Sequence, residues 1–519
     1  MRTTVRIIAV MLAIAAIVTA SPACQEPDYM PKPKPSQSAY AYVSPTPTAT
    51  AAPTASPTEY IESNPELKEL HYKGDGMPYT YLSTDPKQLS FEADIVYLAN
   101  RFLTKQGGNP MLNNVDCAIT DYNLTIKPNA AFENYYNAEL RIEFLRRINE
   151  LILSIPEKTD YELEFGLCEI IAMLNDPNSS LGTNAASLEF PFEFLPVFTE
   201  DGCECYVTWT LKELEKCLMC RLDAINGVSI DEVVQRMGKL IAHETEEELF
   251  YRAVTCGYLK TGDCLRYLGV IDDKYKSSVT IGAYTSYGWG PVTFTFTNGE
   301  GETFDVEATA DTSFMFDYFG TVDFSPKEKV PKDYIGTDFK HSKGVSSPWY
   351  EFISGGKTLY IRLNCDVSIK ISRFLDELMQ KVSEATVERV IIDCRSLSGI
   401  AYEKAAGIAT RLNEIDAKKY VLIDHTLDPS SVRLPTFLKR FVNDVELVGS
   451  PAFDAPIRGL STETFNLSSK GNACITSTTR GYNYWPESEY NILTPDTIIY
   501  QTAEDYRNGV DSVLKALLD

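Results

Sequence analysis

Histidine is scarce in this chain, with four residues in 519. None of the four stands near the paired cysteines Cys203-Glu-Cys205 and Cys217-Leu-Met-Cys220. The mixed Cys/His ligand sets of zinc sites are therefore missing there, and the spacing between the two pairs is short for a zinc ribbon. The pairs read as local disulfides or buried thiols. His243 opens the run His-Glu-Thr-Glu-Glu247, in which Glu247 stands where a zinc-peptidase helix needs its second histidine. No metal and no cofactor is expected. Positive charge is also short: 48 Lys and Arg stand against 72 Asp and Glu, a formal charge of −24. That balance excludes a basic nucleic-acid surface and fits a soluble extracellular protein. Beyond the first twenty residues no apolar run is long enough to span a bilayer as a helix.

What is there begins with an export pattern. Arg2 and Arg6 precede the apolar run Ile7 to Ala20, which is too short for a membrane span and fits a signal peptide. Val18-Thr-Ala20 offers a small-residue cleavage site. Ser21-Pro-Ala-Cys24 resembles a bacterial lipoprotein box, with Cys24 as the lipid carrier and Ser21 where leucine is usual. With Cys24 set aside, eleven of the twelve cysteines are left, so at least one has no partner within the chain. Residues 25–58 are rich in Pro, Ser, Thr and Ala, a composition that cannot bury enough apolar surface to offset its ordering entropy. It reads as a tether between membrane and folded body. The expected location is outside the cytoplasm, as a cell-surface lipoprotein or a secreted protein.

The chain as a whole is 44% hydrophobic and 11% aromatic, ample for ordinary cores. Five stretches follow: a signal peptide over 1–23, a tether over 24–86, a helical region over 87–185, a β-rich region over 186–349 and a layered α/β region over 350–519. In the third, Ile95, Leu98 and Phe102 share a helix face, and Leu140 to Ile152 gives a broader stripe. A further helix, Leu163 to Leu174, ends at the breaker Asn175-Asp-Pro-Asn178. In the fourth, Cys205-Tyr-Val-Thr-Trp209 and Val292 to Thr297 read as strands, and Asn226-Gly and Asn298-Gly as turns. In the fifth, strands at Thr358–Leu363, Val387–Asp393 and Lys419–Ile423 alternate with helices carrying Phe374, Leu375, Leu378 and then Lys404 to Leu412. Such alternation implies a parallel sheet under helices.

Several pieces, taken in order, resemble the tail-specific (C-terminal-processing) serine peptidases. They are Met173-Leu-Asn-Asp-Pro-Asn-Ser-Ser-Leu181, Leu195-Pro, Ile225-Asn-Gly (also similar to a segment of PDZ modules) and Leu359-Tyr-Ile-Arg-Leu-Asn-Cys365. There follow Val390-Ile-Ile-Asp393-Cys-Arg395-Ser-Leu-Ser398-Gly399, Tyr420 to Leu427, Leu447-Val-Gly-Ser-Pro451, Thr494-Pro-Asp496 and Asp505 to Asp511. The resemblance implies a multi-domain α/β fold: a helical N-terminal region, a small β-rich PDZ-like middle, and a C-terminal layered domain of ClpP/crotonase type. It implies serine acyl transfer assisted by a lysine base and a glycine-loop oxyanion hole.

The chemistry departs from that pattern at every part. Asp428-Pro429-Ser430-Ser431 stands at the nucleophile turn, so Asp428 takes the nucleophile position, or Ser430 does after a two-residue shift. Pro429 has no N–H to give an oxyanion. Ala455 stands where the lysine is expected, and no Lys lies between Lys439 and Lys470. Asn178 replaces the histidine of the Asp-x-His-Thr piece, and Ser398-Gly399-Ile400 replaces three glycines. A Ser430-His425-Asp424 set is opposed by alternation, since adjacent strand residues point to opposite faces. Arg395 with Ser398 and Gly399 forms a candidate site for a peptide carboxylate, the alternative being an Asp393–Arg395 pair that braces the strand end. The expected function is binding of a peptide or protein segment without cleavage. The alternatives are a divergent hydrolase using Ser430 and a scaffold that binds a partner elsewhere on its acidic surface.

Overall fold

The computed structural model describes residues 70–519 apart from 75–76, 105–111, 113–116, 122–129, 134–136, 177, 183–187, 201, 282–283, 311–320, 324–347, 364–370, 396, 398–401, 428–430, 454–461, 469–471, 478–479 and 484–491. Its first helix, α1 (Pro86–Leu103), starts where Asp85 accepts the N–H groups of Lys87 and Gln88 and Pro86 takes the first turn. Strands β1 (Cys117–Asp121) and β2 (Ala130–Glu133) follow, then α2 (Ala138–Ser154) and α3 (Asp160–Ala172). A capping box between Thr159 and Glu162 opens α3. Phe102, Phe144, Ile148 and Phe165 of these helices are fully buried together.

A short strand, β3 (Ser180–Leu181), leads into a larger sheet. Its members are β4 (Phe192–Thr199), β5 (Gly202–Leu211), β6 (Arg221–Ile225), β7 (Val228–Ser229), β8 (Lys276–Ile281), β9 (Tyr284–Thr297), β10 (Thr303–Ala310) and β11 (Thr321–Asp323). The main path runs β10-β9-β6-β5-β11, with β4 on β5, β7 on β6 and β8 on β9. Helices α4 (Ile230–Met237), α5 (Glu246–Thr255) and α6 (Gly262–Tyr267) interrupt it in sequence. Phe190 and Phe192 pack edge-on or tilted against Phe294 and Phe296 in its core, next to the helices of the preceding region.

The last part of the chain builds a six-stranded sheet from β12 (Trp349–Ile353), β13 (Thr358–Arg362), β14 (Arg389–Asp393), β15 (Lys418–Ile423), β16 (Val445–Gly449) and β20 (Thr497–Ile498), in that spatial order. All neighbours are parallel except β12 on β13. Between these strands lie α7 (Ile371–Ser383), α8 (Tyr402–Leu412) and α9 (Arg433–Phe441); α10 (Ala503–Arg507) and α11 (Ser512–Leu518) close the chain. The period of two sorts the strands' side chains. Val390, Ile392, Val421 and Ile423 meet α7, α8 and α9 on one face. Tyr360, Ile391, Leu422 and Val448 meet Val513 and Leu514 of α11 on the other. The result is helix, sheet, helix.

Two findings depart from the sequence reading. The region 87–185 holds β1, β2 and β3 beside its helices, and the region 186–349 holds α5 and α6, which were not expected. β1 pairs in parallel with β19 (Arg480–Asn483), and β3 pairs with β18 (Ala473–Ser477), which also pairs with β17 (Thr462–Asn466). Strands that close on partners from the far end of the chain leave little trace in local periodicity. The same crossing is tied by polar contacts: Asp94 of α1 accepts the backbone N–H and the hydroxyl of Ser468, and Arg101 pairs with Glu463.

Candidate functional site

The carboxyl ends of parallel strands are where open α/β sheets present ligand sites. At the end of β14 stands Asp393, fully buried. Its Oδ2 accepts Tyr360 Oη at 2.6 Å, Arg362 Nη1 at 2.7 Å and Arg395 Nη2 at 2.8 Å, and its Oδ1 accepts Arg395 Nε at 2.9 Å. Burial alone would raise this carboxyl, but the guanidinium groups of Arg362 and Arg395 outweigh it and hold it well below the usual carboxylate range. Arg395 Nη2 also donates to Asp511 Oδ2 at 2.7 Å, while Asp511 Oδ1 accepts the N–H groups of Val513 and Leu514 and caps α11. Asp393 thus has no lone pair directed at solvent. Arg395 is already bidentate to one carboxylate and bonded to a second. The arrangement braces the strand end against α11.

β15 ends at Ile423, so Asp424 and His425 lie in the turn beyond it. Opposite faces of a strand are therefore not what separates them. Asp424 is occupied locally, its Oδ1 accepting the N–H of Thr426 at 3.0 Å and its hydroxyl at 2.5 Å. The His425 ring packs against Phe198 of β4, Tyr251 of α5 and Phe453, at centroid distances of 4.9, 4.7 and 5.9 Å. Burial pulls the imidazole below its ordinary value, with Asp424 opposing, which favours the neutral form of His425.

Its Nδ1 faces Ser450 Oγ at 3.5 Å. Ser450 follows Gly449, whose φ is 126° and where an added Cβ would lie 2.1 Å from Ile423 O. Only glycine lets β16 come so close to β15 at this point. A neutral histidine beside a serine invites a nucleophile reading, but the backbone around Ser450 has no N–H to spare. Ser450 N donates to Ile423 O at 3.2 Å, Pro451 has no N–H, and Ala452 N donates to Leu493 O at 3.0 Å. An oxyanion forming on a carbonyl bound at Ser450 would meet none of these donors.

His425, Ser450, Phe198, Phe453, Tyr500 and Glu247 line a cavity of about 70 Å³. Phe198 belongs to β4, which among the described strands pairs only with β5, and α5 packs against β4. The cavity therefore joins the carboxyl end of the parallel sheet to an edge strand of the antiparallel one. A larger opening of about 630 Å³ lies between α2 and α3, with Arg147, Lys158 and Lys239 on its rim. Its lining serine, Ser154, donates its hydroxyl to Leu151 O at 2.8 Å, and the opening is lined by helices rather than by these strand ends. Among the described residues no group of three or more His, Cys, Asp or Glu side chains is arranged to hold a metal ion.

Of the residues singled out in the sequence, Ser398, Gly399, Ile400, Asp428, Pro429, Ser430, Ala455 and Cys24 lie outside the described residues. Their described neighbours are joined: Ser431 Oγ donates to Leu397 O at 2.5 Å. Asn178 sits in the turn after α3, where Asp176 accepts its N–H at 3.2 Å and the Ser179 hydroxyl at 2.5 Å. Lys439 pairs with Asp496 at 2.7 Å and reaches Val445 O, at the amino end of β16 and away from the site. Ser450, Phe198, Tyr251, Phe453 and Tyr500 were not foreseen. The signal for two of them lies in the sequence: Ser450 falls within Leu447-Val-Gly-Ser-Pro451, and Phe198 stands two residues beyond Leu195-Pro196.

No family model matches the sequence, and no curated protein matches it. Among solved structures the chain is similar to mature CPAF, at 11% identity and a TM-score of 0.46, over 81% of this chain and 94% of that one. A CPAF mutant gives 10% identity and a TM-score of 0.45 over the same shares. A candidate peptidase from Parabacteroides merdae gives 13% identity and a TM-score of 0.28, over 56% of this chain and 88% of that one.

Proposed function

We propose that this chain is an exported, membrane-tethered relative of the tail-specific serine peptidases with a degenerate catalytic site, which binds an extended peptide or protein segment without cleaving it. The observation that carries this reading is the occupation of the strand ends. Asp393 and Arg395 are bound to each other and to Asp511, His425 is enclosed by aromatic rings, and the backbone at Ser450 has no free donor. The sequence adds Asn178, Ala455 and the Asp428-Pro429 turn where the family's base and oxyanion donors would stand. Binding needs none of these. An extended segment added to the edge of β4 that no described strand occupies would gain main-chain hydrogen bonds, and its side chains would reach the cavity beside His425.

The test uses the full chain and a pool of unstructured peptides. Binding is expected to saturate with no new cleavage products by mass spectrometry, and Phe198→Ala is expected to weaken it about tenfold, a loss of ~1.4 kcal/mol. A second reading, a hydrolase using Ser430, draws on the Ser431–Leu397 bond, which holds the chain after Ser430 beside the chain before Ser398. Peptide cleavage, or labelling by a fluorophosphonate, that is abolished in Ser430→Ala would replace binding with that reading.

A further inference from the structure

The pair Cys217 and Cys220 takes no part in the site described above, yet its geometry is specific. Both are buried free thiols. They occupy the first and last corners of a tight turn between β5 and β6, closed by the Cys220 N–H on Cys217 O at 3.0 Å. Leu218 has φ −59° and ψ 129°, and Met219 has φ 57°. Those are the angles of a type II turn, whose third position favours glycine. A hydrogen-bonded turn brings its end Cα atoms within about 7 Å, the range in which disulfides span about 4.4–6.8 Å. The Cys220 thiol points back over the turn, 3.2 Å from Lys216 O and 3.9 Å from Leu218 O, toward the Cys217 side. Glu215 and Lys216 are exposed, so the thiols lie just beneath the surface.

The turn is also a docking point. Its Met219 N–H donates to Val207 O at 2.8 Å, and its Met219 carbonyl accepts Arg507 Nη2 from α10 at 3.1 Å. The C-terminal α/β region thus grips the antiparallel sheet at Met219, one of the two residues between the cysteines.

We propose that Cys217 and Cys220 are a redox pair that closes to a disulfide, and that the closed form fixes the turn on which Arg507 docks. Burial raises both thiols, Cys217 to about 12. Lys216 opposes that rise at both thiols and Arg507 at Cys220 alone; with its thiol lying back over the turn beside Lys216 O, Cys220 is assigned the first attack. Its thiolate attacks the sulfur of a small disulfide such as oxidised glutathione, expelling one glutathione thiolate. The Cys217 thiolate then attacks the Cys220 sulfur of the mixed disulfide and expels the second. Two protein thiols lose two electrons and two protons, and one glutathione disulfide becomes two glutathione thiols.

The experiment equilibrates the full chain with glutathione at graded ratios, blocks free thiols with N-ethylmaleimide and maps the digest by mass spectrometry. The peptide carrying both cysteines is expected to become resistant to alkylation and about two mass units lighter. The oxidised chain is expected to melt at a higher temperature than the reduced one, a difference absent in the Cys217→Ser, Cys220→Ser double variant. Arg507→Gln is expected to slow oxidation at least about threefold by raising the attacking thiol. Alkylation of both cysteines at every ratio, or a bond made instead to Cys203, Cys205 or Cys256, overturns the proposal. A disulfide that leaves the melting temperature and the Arg507→Gln rate unchanged overturns the coupling to α10. The alkylation map needs no variant, so a misfolded double variant leaves the test intact.

Discussion

A single residue, Asp393, draws together side chains from distant parts of the chain. Tyr360, Arg362, Arg395 and Asp511 all converge on one buried ion network. In such a network, removing one partner strands the others in a low-dielectric site. Asp393→Asn is expected to cost about 3–5 kcal/mol, read by denaturant unfolding. Its acid sensitivity has a definite sign. The folded carboxyl lies below its unfolded value, so its contribution is complete above the usual Asp value of about 3.9 and is lost as pH falls below it. The wild type should therefore lose stability across that acid window more steeply than Asp393→Asn. Equal slopes would show that the guanidinium pairing adds nothing.

Among the elements, β16 has the tightest constraint. Gly449 combines a φ of 126° with a virtual Cβ 2.1 Å from the backbone oxygen of Ile423. Gly449→Ala therefore meets both backbone strain and overpacking, with an expected loss of about 2–4 kcal/mol. It should also displace Ser450 from His425. Gly407, in the middle of α8, has nothing within 4 Å of its virtual Cβ, so Gly407→Ala should stabilise by about 0.5–1 kcal/mol. Comparable unfolding midpoints for the two variants would refute this account. Elements of the last region were largely legible in the sequence. Strands near 358–363, 387–393 and 419–423 and helices near 371 and 404–412 were read from alternation and apolar stripes. β1 and β3 were not, because their partners β19 and β18 come from the far end of the chain, and β2, which pairs with β1, was not read either. Nor were α5 and α6, short helices within a strand-rich stretch.

For the molecule as a whole, among the described residues no helix is long and apolar enough to cross a membrane. The proposed membrane attachment rests on the sequence alone, on Cys24 with a Pro- and Thr-rich tether behind it. Expressed in a bacterium with lipoprotein processing, the full chain is expected to incorporate labelled palmitate and to partition with membranes. Cys24→Ala should abolish the label and release the protein in soluble form. A soluble wild type without label would refute the anchor.

The sequence by itself determined most elements of the last region, the net negative charge and the residues Asn178, Ala455 and Pro429 that differ from the pattern it resembles, because these depend on residue type and on short-range period. Only the tertiary structure decided which polar groups have partners. It bound Asp393 to two arginines, enclosed His425 between β4, α5 and Phe453, and brought Ser450 beside it. The physical reason is that parallel strands set side by side the ends of segments that are distant in sequence. Hydrogen-bond satisfaction and burial at those ends depend on that meeting and not on any one segment.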